Sequence, residues 1–168
     1  MKHRYLIALG SNRRHHRHGR PEGVLGAALL ALGHAGVRIK QAAPVMRSAP
    51  LGPSRRRYAN SAVVASSKLE PDKLLDALKR IERQFGRRPG GQRWASRVLD
   101  LDIVLWSGGA WAGPGLVIPH PRFRERGFVL GPVAAIAPHW RDPITGLSLR
   151  QLAVRLRSPH PLRSAAGR

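Results

Sequence analysis

Leu99-Asp100-Leu101-Asp102-Ile103-Val104 decides how the rest of the chain is read. Apolar residues alternate with two aspartates, the period of a strand with one buried face. Residues i and i+2 of a strand point the same way, about 7 Å apart. Asp100 and Asp102 therefore project side by side, and Leu99, Leu101 and Ile103 pack behind them. Two like charges at that distance repel and need a partner to stay ionised. A divalent cation is one such partner, and hard oxygen ligands suit Mg²⁺. Arg93-Trp94-Ala95-Ser96-Arg97 leads into the strand with cations and one large aromatic. Carboxylates, a metal and arginines together point to a polyphosphate ligand.

The alternative is a half-exposed strand whose aspartates face water. Scarcity argues against it. The chain has 9 acidic residues against 30 basic ones, yet two of the nine stand on one strand face.

At 168 residues the chain is long enough to bury a core and fits one domain. The expected limits are a domain over 1–157 and a loose basic tail over 158–168. A hydrophobic content of 42% fits a globular protein. No apolar run is long enough to span a bilayer, and the N-terminus leads into a strand rather than a signal peptide, so no membrane role and a cytoplasmic location are expected. The absence of cysteine excludes disulfides and thiolate chemistry. The net charge of +21 implies attraction to polyanions, and 25 of the 30 cations are arginine. Arginine holds phosphate in a bidentate fork, although a wholesale bias also follows from genomic base composition.

Arg4 to Leu9 reads as a buried first strand ending at the turn signal Gly10-Ser11-Asn12. The run Arg13 to Arg20 reads as a solvated basic loop. Metal binding by His15, His16 and His18 is the competing reading, but no spacing there fixes a coordination geometry. A helix is expected from Pro21, with an apolar stripe of Val24, Leu25, Ala28, Leu29 and Leu32, closed by Gly33. Val37 to Met46 reads as a second strand, with Pro44 marking an edge or bulge, and Ala62 to Ala65 as a third. A helix over Asp72 to Phe85 follows, opened by Pro71 and ended by Gly86. Glu82 lies about 50° from the centre of its apolar stripe, so its carboxylate requires a partner there: an arginine such as Arg83 or Arg87, or a ligand. Residues 86–92 read as a loop, Ser107-Gly108-Gly109 as a turn into a short strand near Trp111, and short helices are expected over Val133 to Ile136 and Leu149 to Leu156.

The ordered series of motifs resembles the 6-hydroxymethyl-7,8-dihydropterin pyrophosphokinase family. It comprises Leu9-Gly10-Ser11-Asn12, Pro50-Leu51-Gly52-Pro53 with Tyr58 and Asn60, Gly86-Arg87, Arg93-Trp94 with Arg97, Leu99 to Ile103, Pro119-His120-Pro121-Arg122 with Arg126, Phe128-Val129-Leu130, and Ala135-Ile136-Ala137-Pro138. The likeness runs from about residue 4 to 156. It implies an α+β fold, a ferredoxin-like antiparallel sheet flanked by helices, which agrees with the β-α-β-β-α-β order read above. It also implies a monomeric folate-biosynthesis enzyme that moves a pyrophosphoryl group from ATP to the pterin hydroxymethyl and releases AMP.

Site roles follow from the resemblance residue by residue. Asp100 and Asp102 would hold two Mg²⁺ ions, with Asp100 also orienting the attacking hydroxyl. Arg87 and Arg97 would contact phosphate and assist transfer, and His120 and Arg126 would add phosphate contacts. Lys79, Glu82 and Ile103 would approach the nucleotide. Trp94 and Phe128 would sandwich the pterin, and Tyr58, Asn60 and the segment Ser48-Ala49-Pro50-Leu51 would line its slot. The chain departs from the family at Ala95-Ser96, where Gly-Pro is usual, at Pro89, where arginine is common, and at Lys79, where glutamine is usual. Two other readings stand beside this one: a weakly active or inactive homologue, motivated by the altered loop, and a basic nucleic-acid-binding module, motivated by charge. The low aromatic content of 5% speaks against the second.

Overall fold

The computed structural model describes residues 1–49, 56–86 and 97–158. Strand β1, His3–Ser11, is nearly all apolar and lies inside a five-stranded antiparallel sheet. It is followed by α1 (Pro21–His34), β2 (Arg38–Ala42), β3 (Met46–Ser48), β4 (Tyr58–Ser67), α2 (Pro71–Gln84) and β5 (Asp100–Trp106). A small hairpin of β6 (Trp111–Gly113) and β7 (Leu116–Ile118), a 3-10 turn over Phe123–Glu125, α3 (Gly127–Ile136) and α4 (Leu149–Arg157) complete the order. The strands run β2-β4-β1-β5, with β3 also paired to β4. This is the expected α+β sheet of ferredoxin-like order. No helix among the described residues is long and apolar enough to cross a membrane.

Strand alternation divides the core into two layers. Tyr5, Ile7 and Leu9 of β1 and Leu101 and Ile103 of β5 pack against α1 and α2. Leu6 and Ala8 point the other way, toward Phe123, Val129, Leu130, Val133 and the α4 residues Leu149 and Leu152. Both α1 and α2 open on a proline in the first turn, where its missing N–H costs no hydrogen bond. Ser148 and Gln151 cap α4 reciprocally, each side chain accepting the other's backbone N–H, at 3.2 and 2.9 Å.

Several expectations are corrected. The single strand expected over Val37 to Met46 is two strands, β2 and β3, because Pro44 cannot donate to the ladder. β1 continues past Gly10 to Ser11, since both residues pair with β4. α3 begins at Gly127, not Val133, and keeps Pro132 inside. Burial of Val129, Leu130, Val133 and Ile136 compensates for the one lost helical bond. α1 likewise runs through Gly33 to His34.

Candidate functional site

The register of three strands builds the floor of a cleft on the α3 side of the sheet. Gly10 of β1 stands opposite Asn60 of β4 on one side and Asp100 of β5 on the other, and Ala8 stands opposite Asp102. A side chain at Gly10 would rise beside the Asn60 Oδ1, with its Cβ at 3.4 Å, so glycine keeps the floor open between amide and carboxylate. The walls are His120, Pro121, Arg122, Arg126, Phe128 and Val129, with Tyr58 and Arg97 at the rim. The cavity of about 450 Å³ is large enough for a drug-sized ligand.

Asp100 and Asp102 project into this cleft together, as the alternation of the strand requires. Arg97 Nη1 donates to Asp100 Oδ1 at 2.9 Å. The arginine is itself pinned, because its backbone N–H donates to Asn12 Oδ1 at 2.8 Å and its carbonyl accepts from the Asn12 N–H at 3.2 Å. Burial works to lower the Arg97 guanidinium pKa, but Asp100, Tyr58 and Glu82 outweigh it, and the pKa is raised. Burial and the Asp100 charge raise the Tyr58 phenol against the effect of Arg97, so it stays a neutral donor.

β5 carries a bulge opposite Leu6 and Ile7, around Val104. The Val104 carbonyl accepts the His120 N–H at 3.0 Å, which fastens the Pro119–Arg122 segment to the aspartate strand. His120 Nδ1 accepts the Arg122 N–H at 3.2 Å, which leaves the ring proton on Nε2. Burial, Arg126 and Arg122 lower its pKa, overcoming the opposing pull of Asp102, so the imidazole is neutral at pH 7. Arg126 lies 5.8 Å from the Phe128 ring centre and lines the cleft beside it.

Of the residues expected at the site, Tyr58, Asn60, Arg97, Asp100, Asp102, His120, Arg126 and Phe128 come together here. Ser48 supports them, its Oγ accepting from Asn60 Nδ2 at 2.7 Å. Ala49 follows β3 at the surface and does not line the cleft. The Ile103 side chain, 2% exposed, lies in the opposite core layer because it alternates with the aspartates. Glu82 is also buried behind the sheet rather than in the cleft. It accepts the Leu101 N–H at 2.8 Å, and Lys79 bonds its other oxygen at 3.3 Å. Arg87, Trp94, Pro50 and Leu51 lie outside the described residues. Sequence reading named no site role for Gly10, Pro121, Arg122 or Val129, although each sits within a quoted motif.

Among the described residues no three His, Cys, Asp or Glu side chains converge as a metal cage. Mg²⁺, however, takes one or two protein carboxylates and completes its octahedron with water and substrate phosphate. Two adjacent carboxylates on the floor of a basic cleft fit that ion as a site completed by substrate.

A ferredoxin-like sheet whose edge strand turns two carboxylates toward arginines and a neutral histidine defines an α+β protein of phosphate chemistry. The family model of 7,8-dihydro-6-hydroxymethylpterin-pyrophosphokinase (HPPK) matches residues 6–138. The chain is 38% identical over 145 residues to the 2-amino-4-hydroxy-6-hydroxymethyldihydropteridine pyrophosphokinase of Pseudomonas aeruginosa, covering 85% of this chain and 86% of that protein. It is also 38% identical over 118 residues to the protein of that name from Synechocystis, covering 70% of this chain and 60% of the relative. A solved structure of an HPPK-DHPS in complex with substrates superposes with a TM-score of 0.70 over 92% of this chain and 43% of that one. At 11% identity, that likeness bears on the fold. The chain belongs to the 7,8-dihydro-6-hydroxymethylpterin-pyrophosphokinase family.

Proposed function

We propose that this chain transfers the pyrophosphoryl group of ATP to the hydroxymethyl group of 6-hydroxymethyl-7,8-dihydropterin and releases AMP, a step of folate biosynthesis. The family membership supports this reading. The observation that carries it is the convergence of Asp100 and Asp102 with Arg97, His120 and Arg126 in one cleft that Tyr58, Asn60 and Phe128 also line.

The pterin hydroxyl oxygen bonds to the β-phosphorus and releases its proton to solvent, and the bond from that phosphorus to the α,β-bridging oxygen breaks, so AMP departs with that oxygen. Such a transfer depends on alignment and on charge stabilisation. Phe128 offers a flat apolar wall for the pterin, and Asn60, held by Ser48, offers an amide to its edge. Arg97 and Arg126 hold phosphate oxygens, and the neutral His120 donates from Nε2 without adding charge. Asp100, which accepts from Arg97 through Oδ1, holds the attacking hydroxyl. Asp100 and Asp102 would also carry Mg²⁺, which neutralises triphosphate charge when bound. Arg87 and Trp94 are assigned by resemblance to phosphate and pterin contacts. Lys79 and Glu82 act from behind β5.

The test is product identity. ATP, Mg²⁺ and the pterin should give AMP only when the pterin is present. ADP instead of AMP would mean transfer of a single phosphoryl group and would overturn the assignment.

A further inference from the structure

The segment His15–Gly19 is a built turn rather than a loose basic loop. His15 and Gly19 exchange two backbone hydrogen bonds of 2.8 and 2.9 Å. His15 Nδ1 accepts the N–H groups of Arg17 and His18. The rings of His15 and His18 stack on one another, and that of His18 stacks on Phe85 at the end of α2. Positive φ at Gly19 (75°) closes the turn and delivers the chain to the start of α1.

A second concavity lies between the chain segments that flank this turn. Asn12, Arg13, Arg14, Pro21, Arg56 and Arg57 line a cavity of about 540 Å³ at the N-terminal end of α1, which no side chain caps. A smaller cavity of about 260 Å³ shares Pro21 and Arg57 with it and adds Arg20 and Arg47. Among the residues lining the two, Glu22 is the sole carboxylate, and Arg47 already holds it at 2.7 Å. Among the described residues Arg13, Arg14 and Arg57 have no carboxylate partner. The guanidinium groups of Arg13, Arg14 and Arg57 around the larger hollow repel each other, and the helix N-terminus adds partial positive charge at the same place. A multivalent anion relieves both, and arginine forks match phosphate oxygens in geometry.

We propose that this hollow is a second anion site, separate from the catalytic cleft, that binds a compact polyphosphate: a chain of two or more linked phosphates, whether free or the tail of a nucleotide. The hollow and the smaller cavity beside it are each linked to the cleft by one residue. Tyr58 lines both the cleft and the smaller cavity, and Asn12, which lines the larger one, pins Arg97.

Calorimetric titration of inorganic tripolyphosphate into the full chain, without metal and at a fixed ionic strength of about 0.15 M, tests this. Three variants separate a built site from general charge: Arg13→Ser/Arg14→Ser/Arg57→Ser in the hollow, Arg97→Gln/Arg126→Gln in the cleft, and Arg150→Ser/Arg155→Ser/Arg157→Ser on α4 as a control of equal charge loss. The parent chain should show two classes of site. The hollow variant should lose one, with at least tenfold weaker binding there, while the cleft variant keeps it and the α4 variant keeps both. Equal affinity for ATP and tripolyphosphate would assign the phosphate tail alone, and tighter ATP binding would assign a nucleotide; either upholds the site. Unchanged binding by the hollow variant, or an equal loss in the α4 variant, would overturn it. Because the readout is binding, the result is independent of whether the chain turns over pterin.

Discussion

Glu82 of α2 accepts the backbone N–H of Leu101, at 2.8 Å, from behind the strand that carries Asp100 and Asp102. A buried carboxylate thus fixes the peptide unit between the two acidic side chains, and Lys79 balances its charge at 3.3 Å.

Glu82→Ala should leave the Leu101 N–H unsatisfied and cost about 1–3 kcal/mol of stability. Glu82→Gln retains an acceptor oxygen and should recover much of that. Thermal unfolding of the two variants measures the difference. Equal losses in both would mean that the charge of Glu82, not its hydrogen bond, is what matters.

Asp142 is fully buried and takes a bidentate pair from Arg124 at 2.6 and 2.7 Å, with Thr145 and the Ile144 N–H completing its shell. Burial works to raise its pKa, but those hydrogen bonds and the Arg124 charge outweigh it and lower it. A depressed carboxyl contributes stability above its unfolded value of about 3.9 and loses it as pH falls through the lower folded value. Asp142→Asn should therefore cost about 3 kcal/mol at pH 7, near the lower end for a buried pair because Arg124 keeps some solvent contact. That gap should narrow below about pH 4, as denaturant titrations at both pH values would reveal. A gap that widened in acid would contradict the sign.

His120→Asn removes the Nε2 donor from the cleft. Loss of a hydrogen bond to a charged phosphate is worth about 1.5–3 kcal/mol, so kcat/KM for ATP should fall about 10- to 100-fold. Steady-state kinetics at pH 7 checks it, and a change confined to the pterin KM would place His120 elsewhere.

Arg97→Lys keeps the charge but loses the fork and the contact with Asp100. Turnover should drop by more than pterin affinity does, as rates and equilibrium pterin binding measured on one preparation would show. The reverse pattern would move Arg97 from phosphate to pterin.

The facing of Asp100 and Asp102 was legible because strand alternation is a local rule, and α2 because its stripe and its proline and glycine bounds are local too. The partner of Glu82 was not: a backbone N–H nineteen residues away carries no side-chain signature. Ile103 shows the same limit from the other side, since motif position drew it toward the nucleotide while alternation buries its side chain. The Arg124–Asp142 pair joins segments that only the packed α3–α4 layer brings together. The basic run before α1 read as solvated charge because stacking of His15 and His18 against Phe85 is a tertiary event.

In the proposed reaction the two aspartates work as one phosphate-transfer centre. The most direct measurement is AMP formation from ATP, Mg²⁺ and 6-hydroxymethyl-7,8-dihydropterin by the parent chain, Asp100→Asn and Asp102→Asn, with folding checked by circular dichroism. Pterin-dependent AMP is expected from the parent and none above background from either folded variant. Undiminished AMP from a folded Asp102→Asn protein, or none from a folded parent chain, would contradict it.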